Sequence, residues 1–197
     1  RRQRQMCIRD REYASALEHQ AEKLRFLIDA LVKTSRLESG VLAMTPKRHG
    51  IQQLLDAASA QAAPGAEAKA ITLTVEPTDL TARFDPKWTA EALYNLVDNA
   101  VKYTPAGGAV TLRAVGYELF CRVDVTDTGP GIPESEQARI FQRFYRSPSA
   151  SEAEGVGIGL YLARQIAAGQ GGYLKVSSRP GEGSTFSLFL PRAEERT

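Results

Sequence analysis

Leu119-Phe-Cys121-Arg-Val123-Asp-Val125-Thr-Asp127-Thr-Gly129-Pro-Gly131 is the stretch on which the fold turns. Counting by two from Leu119 gives Cys121, Val123, Val125 and then Asp127. A β-strand here therefore buries one apolar face and ends it with a carboxylate. Two readings of Asp127 stay open at this point. It can cap the Thr128-Gly-Pro-Gly131 turn, a role that Asp often fills. Alternatively, it faces a pocket and accepts a hydrogen bond from an exocyclic amine, while Gly129 and Gly131 let a planar ring approach the backbone. Upstream, Val110 to Val115 reads as a partner strand, joined through a tight turn at Gly116-Tyr117.

Before that hairpin, Pro86 to Tyr103 has helical periodicity, with Pro in the first turn and Pro105-Ala-Gly-Gly108 after its end. Leu93, Leu96, Val97 and Ala100 make its core stripe, whereas Glu91, Asn95, Asn99 and Lys102 follow one another along a different face. That polar stripe is either simply solvated or a binding face. In the second case the carboxamide oxygens of Asn95 and Asn99 can hold a hard cation, and Lys102 can reach phosphate oxygens.

Three further segments lie downstream. Gly155-Val-Gly157-Ile-Gly159-Leu160 precedes a helix expected over Leu160 to Ala168. Glycines ahead of a helix free backbone N–H groups for phosphate oxygens, although a flexible hinge has the same composition. The run is not a P-loop, because no Lys-Ser or Lys-Thr follows it, and no strand feeds into it as in a dinucleotide fold. Ile140-Phe141-Gln-Arg143-Phe144-Tyr-Arg146 has two readings: core anchors with solvated arginines, or the base of a mobile lid. In the last strand, Phe186, Leu188 and Leu190 alternate inward and leave Thr185 on the opposite parity.

At the start of the chain, helix formers run without Gly or Pro as far as Gly40. Leu17, Leu24 and Leu31 recur every seven residues, with Ala21, Leu27, Ile28 and Ser35 on the same side, a seam that requires a partner helix. A domain boundary is expected near residues 40–46, followed by a connection through His49-Gly50. Next come a short helix over Ile51 to Ala63 stopped by Pro64-Gly65, a strand over Ile71 to Val75 and another over Leu80 to Phe84.

The composition sets the remaining bounds. With 197 residues, 43% apolar and 24% charged, the chain is an ordinary globular one, which excludes intrinsic disorder. A net charge of +2 from 25 basic and 23 acidic residues gives no dominant field, so no nucleic-acid partner is expected. Cys7 and Cys121 support neither a disulfide framework nor a paired-cysteine metal site. No apolar run approaches the roughly 20 residues of a membrane-spanning helix.

In order along the chain, these segments resemble the nucleotide-binding boxes of bacterial sensor histidine kinases, within the superfamily that includes gyrase-type and mismatch-repair ATPases. Asn95 to Pro105 is similar to the N box, Asp127 to Ile132 to the first glycine box, and Phe141 to Tyr145 to the F box. Gly155 to Leu160 resembles the second glycine box, and Gly183-Ser-Thr185-Phe the final strand motif. Leu31 to Gly40 resembles the end of the second dimerisation helix of the same kinases.

The resemblance implies an α+β fold: a two-layer α/β sandwich with a mixed sheet covered by helices on one face, the Bergerat ATP-binding fold, preceded by a long amphipathic helix. Residues 1–41 would be the partial dimerisation helix and 42–197 the catalytic ATP-binding domain. By the same resemblance, Asp127 takes the adenine amine, Asn99 holds Mg2+, and Asn95 and Lys102 contact the phosphates of ATP. Tyr103 lies near the base and Gly129, Gly131 and Ile132 line its pocket. Phe144, Gly155, Gly157, Gly159 and Leu160 belong to the lid side, and Thr185 joins the polar network beneath adenine.

The implied reaction passes the γ-phosphoryl group of Mg-ATP to a histidine, and from there to an aspartate of a response-regulator receiver domain. The implied setting is the cytoplasmic portion of a membrane-anchored sensor kinase that is a homodimer at full length.

Two departures qualify this picture. The family's acceptor histidine is followed by an acidic residue and then by a proline, and neither His19 nor His49 has that context. The acceptor is therefore expected upstream of Arg1, and this chain is expected to bind ATP without labelling itself. The lid acids between Ser149 and Glu154 stand where relatives carry more basic or glycine-rich residues, which leaves its γ-phosphate contacts open. A water-using gyrase-like ATPase would need a glutamate general base where Asn95 stands. The alternative is an ATP-binding sensing or scaffold module, or a phosphatase-biased relative without efficient transfer.

Overall fold

The computed structural model describes residues 43–147 and 156–193, together with residues 13, 17, 20, 21, 24, 25, 27–36 and 39 nearer the start. Residues 27–36 are helical (α1). The elements that follow are β1 (Lys47–Gly50), α2 (Ile51–Ala68), β2 (Thr72–Val75), β3 (Thr81–Phe84), α3 (Pro86–Tyr103), β4 (Ala109–Gly116) and β5 (Phe120–Asp127). The short α4 (Glu134–Gln137) and a 3-10 turn (Arg139–Phe141) lead to α5 (Gly159–Ala168), β6 (Tyr173–Arg179) and β7 (Gly183–Pro191).

Five strands form a mixed sheet in the order β2-β4-β5-β7-β6, with β2 parallel to β4 and the other neighbours antiparallel. Parity assigns its two faces. Val110, Leu112, Val123, Val125, Phe186, Leu188 and Leu190 are buried and share the core with Leu54 and Leu55 of α2, Leu93, Leu96 and Val97 of α3, and Leu162 and Ile166 of α5. The opposite face carries the exposed Arg113, Thr126 and Lys175. This is the expected two-layer α+β sandwich with helices on one face.

One charged residue on the open face is itself buried. Asp124, only 2% exposed, accepts from Ser187 Oγ at 2.6 Å and pairs with Arg113 (3.3 Å) and Arg122 (3.0 Å). The arginines shield it from solvent, and its oxygens are satisfied by donors from three strands.

Three expectations require correction. α2 does not stop at Ala63: it continues through Pro64 and Gly65 to Ala68. Pro64 lies on the exposed side and so does Ala60, whose carbonyl loses its helical donor and can turn to water. Ala58, Ala62 and Ala66 meanwhile stay buried, and their packing outweighs the local cost. The connection at His49-Gly50 is a strand, β1, that pairs antiparallel with β3 in a separate two-stranded sheet, with the His49 ring 5.3 Å from that of Phe84. Leu119 is not on the buried face but lies outside β5 and is 72% exposed.

Along the N-terminal helix, Leu17, Leu24, Ile28 and Leu31 of the expected seam are exposed. Its other side is covered: Ala30 and Thr34 are buried, and Lys33 pairs with Glu91 of α3 at 2.6 Å. Gly40, Cys7 and His19 lie outside the described residues.

Candidate functional site

α3 is the backbone of the site. Asp85 starts it, its carboxylate accepting from the Lys87 and Trp88 amides at 3.1 and 3.3 Å while Pro86 fills the first helical position. The other carboxylate oxygen takes the Thr45 amide at 3.0 Å and its hydroxyl at 3.4 Å. Gln170, after α5, accepts from the Asp85 amide and from the Thr89 hydroxyl, which ties α3 to α5. From this fixed start the helix carries Asn95, Asn99 and Tyr103 at one-turn intervals, all half-buried.

Glu91, at the head of the polar stripe, is taken by Lys33. Lys102 is half-exposed and pairs with Asp98 at 2.9 Å, so it meets a carboxylate of its own helix.

At the far end of α3 the first glycine segment closes in. Asp127 is 5% exposed on the helix-covered face, and its Oδ1 accepts from the Gly129 amide at 2.8 Å. Burial pushes its pKa above the ordinary carboxylate value, and the amides of Gly129 and Ser184 only partly offset this. A Cβ on Gly129 would stand 2.7 Å from Asp127 Oδ1 and 3.3 Å from the Tyr103 carbonyl oxygen. Gly131 has φ +73°, and a Cβ there would run into the Arg179 carbonyl oxygen. At Gly131 the Arg179–Pro180 backbone excludes a side chain, and at Gly129 the Asp127 carboxylate itself does so first. Ile132, next along, donates its amide to Ser178 Oγ at 2.8 Å and packs on the core.

Register settles which residue of β7 faces Asp127. Asp127 is opposite Ser184, whereas Thr185 is opposite Thr126 and its hydroxyl lies 3.0 Å from that of Thr126 on the open face. Thr185 thus stands apart from the Asp127 pocket. Ser184, which the sequence reading passed over, is buried on the Asp127 side. The signal that would have found it is parity: Ser184 shares that of Phe186, Leu188 and Leu190.

At the other end, the second glycine segment meets α3. A Cβ on Gly159, the first residue of α5, would stand 3.2 Å from Asn95 Oδ1. Gly157 has φ +74°, and a Cβ on it would strike the Tyr145 carbonyl oxygen at 2.5 Å. The Phe144 amide donates to the Gly157 carbonyl at 2.9 Å, so the aromatic and glycine segments are joined through backbone. Phe141 is buried, but Phe144 is 53% exposed at φ +60°, which removes it from the core-anchor reading. Leu160 packs against the core, and Gly155 lies outside the described residues.

These residues suit a nucleotide in two respects. A buried carboxylate whose partners among the described residues are backbone amides has acceptor capacity for an exocyclic amine, whereas the space beside Gly129 and Gly131 is taken up by the chain itself rather than left open for a ring. Asn95 brings a carboxamide to the N-terminus of α5, where backbone N–H groups favour phosphate oxygens. Among the described residues no group of three His, Cys, Asp or Glu side chains could hold a metal ion alone.

Residues 84–194 match the family described as histidine kinase-, DNA gyrase B-, and HSP90-like ATPase. The chain belongs to this ATPase family. Its relatives are sensor histidine kinases. The circadian input-output histidine kinase CikA of Synechococcus elongatus is 34% identical over 189 residues, spanning 93% of this chain and 25% of that protein. The adaptive-response sensory kinase SasA of a Synechococcus species is 34% identical over 185 residues, spanning 92% of this chain and 49% of that protein. The chain therefore spans between a quarter and a half of these relatives' lengths.

Among solved structures, full-length ShkA in complex with AMPPNP superposes with a TM-score of 0.81 at 28% identity, covering 95% of this chain and 40% of that one. The mycobacterial sensor histidine kinase MprB gives 0.66 at 26% identity, covering 76% of this chain and 99% of that one. At the level of the family, then, the chain is an ATP-binding core of the histidine-kinase kind used in two-component signalling. Among the described residues no helix is long and apolar enough to cross a membrane.

Proposed function

We propose that the chain binds Mg-ATP along α3 and presents its γ-phosphoryl group to a histidine on a helix elsewhere in the parent protein, for relay to an aspartate of a response regulator. The observation that carries this reading is the placement of a buried, underused carboxylate, Asp127, beside one end of α3, with Asn95 and the start of α5 together further up the same helix. One helix thereby spans a site for a base and a site for phosphates.

Asp127 would accept from the adenine amine, with Gly129, Gly131 and Ile132 around the ring and Tyr103 beside it. Ser184 would complete the polar floor. Asn95 and Asn99 would meet the phosphates and their ion, with Asn99 as the ligand, and Gly157 and Gly159 would approach from the lid side. Lys102 could reach a phosphate only by leaving Asp98. Magnesium, when bound, supplies charge neutralisation on the phosphates. The chain's own part is to hold the phosphates in line for an incoming imidazole and to limit water there.

His49 of β1, which lacks the acceptor's sequence context and lies against the Phe84 ring, is not the acceptor in this reading. In this reading the exposed seam of the N-terminal helix is the half of a dimerisation hairpin that meets a partner. The parent kinase would be a homodimer, with this portion on the cytoplasmic side of a membrane anchor.

The test has two steps. Titration calorimetry with ATP and magnesium should show saturable binding that Asn99→Ala abolishes without unfolding the chain. A hairpin carrying the acceptor histidine, supplied separately, should then gain acid-labile phosphate. No heat on titration would refute the proposal, and binding without any transfer would leave a sensing or scaffold module as the better reading.

A further inference from the structure

Lys69, the residue after α2, lies outside every nucleotide-binding segment considered so far, yet its ammonium group is fully engaged. Nζ donates to the carbonyl oxygens of Val101 at 2.8 Å, Lys102 at 2.8 Å and Thr104 at 2.6 Å. An ammonium has three donors, and here each has an acceptor. The acceptors lie at the C-terminal end of α3, where carbonyls lack helical partners and the helix dipole is negative. Thr104 takes the preceding carbonyl, that of Ala100, with both its amide (3.0 Å) and its hydroxyl (2.6 Å). Lys102, the basic residue of the last turn, is directed to Asp98 instead. Among the described residues, Lys69 is thus the cation on this helix end.

The grip extends beyond the helix. The Lys69 carbonyl accepts from the Gly107 amide at 3.0 Å, so one residue holds both sides of the turn that leads into β4. Across that turn, Ala109 donates its amide to Thr128 Oγ1 at 2.9 Å, and the Thr128 amide returns a bond to the Ala109 carbonyl at 3.1 Å. Asp127 and Gly129 flank Thr128, and Gly129 abuts the Tyr103 carbonyl. A short route of direct contacts therefore runs from Lys69 through the end of α3 to the Asp127 pocket.

We infer that Lys69 is a positioning residue for nucleotide binding: its ammonium fixes the last turn of α3, and through the Tyr103 and Thr104 backbone it sets the distance between α3 and the Asp127–Gly129 segment. The inference rests on the nucleotide-binding reading above and deepens it. Lys69 touches no part of the pocket itself. Its effect is on where Asn99, Tyr103 and Gly129 stand.

The test compares Lys69→Met, which keeps the stem and removes the donors, with Lys69→Arg, which restores cation and donors. ATP affinity measured by calorimetry on the folded chain should fall about fivefold or more in Lys69→Met and stay within roughly twofold of the parent in Lys69→Arg. Amide hydrogen exchange should quicken in Lys69→Met at Thr104, Gly107 and Gly129, with Asp85 and Thr89 unchanged. A Lys69→Met chain that binds ATP as the parent does overturns the inference. So does Lys69→Arg binding as weakly as Lys69→Met, or exchange that quickens evenly along α3. Failure of the parent chain itself to bind ATP would instead overturn the nucleotide reading and the inference together.

Discussion

Two buried aspartates mark the two ends of the site helix, and they differ in how fully they are used. Asp85, at the start of α3, receives four donors: the amides of Thr45, Lys87 and Trp88 and the Thr45 hydroxyl. Burial alone would raise its pKa, but those hydrogen bonds outweigh it and leave Asp85 below the ordinary carboxylate value. Asp127, at the far end, has among the described residues the Gly129 and Ser184 amides as its donors, so burial wins and its pKa is raised. A carboxylate saturated by its own chain is structure. One buried without enough donors carries an unmet demand, and a nucleotide base can meet it.

The largest effect should come from removing that demand. Asp127→Asn exchanges an acceptor-only group for one that also donates, and should weaken ATP binding by about 10- to 100-fold, the value of a hydrogen bond to a charged group. Its melting temperature should hold or rise, because a costly buried charge is gone. An Asp127→Asn chain that lost stability in step with affinity would erase the contrast with Asp85.

At the other end the pattern should reverse. Asp85→Ala removes a helix cap and should cost about 2 kcal/mol, a drop of roughly 4–8 °C for a chain of this size, with ATP affinity largely kept. Differential scanning calorimetry with and without nucleotide reads both quantities.

Acid separates the pair by sign. The raised pKa of Asp127 means that the folded state binds its proton more tightly than the unfolded state, so stability at this position is gained as pH falls through the raised value. The lowered pKa of Asp85 means the opposite: its contribution is complete above the unfolded value and is lost as pH falls through the folded one. Melting temperatures followed from neutral pH to about 3 should therefore show the stability gap of Asp127→Asn over the parent closing first, and the deficit of Asp85→Ala shrinking only at lower pH. The smallest effect belongs to Lys33→Ala, whose partly exposed pair with Glu91 should be worth about 0.2–1 kcal/mol by melting.

Much of this was legible in the residues. Alternation from Cys121 to Val125 placed Asp127 on the covered face, and helical spacing put Asn95 and Asn99 on one side of α3, because both follow from backbone geometry alone; Lys102, read into the same stripe, is paired with Asp98 instead. Where tertiary contacts decide, the residues misled. Pro64 reads as a stop, yet the alanines around it are held by packing that no local pattern announces. β1 has only four residues and depends on β3 for its hydrogen bonds. The resemblance pointed to Thr185, although parity already set Thr185 apart from the inward residues and put Ser184 among them. Lys69 gave no signal at all, since a single lysine after a helix looks like any solvated charge until its three carbonyls come into view.

Asp124 sits between Val123 and Val125 in the middle strand of the sheet, its charge met from β4, β5 and β7 at once. Were β5 to shift by a single residue against its neighbours, that carboxylate would swing into the oily layer beneath the helices, while two valines turned out towards Arg113 and Ser187. Mispaired sheets would thus be penalised most heavily at their centre, and the alignment that brings Asp127 opposite Ser184 is safeguarded by a residue that never meets the nucleotide.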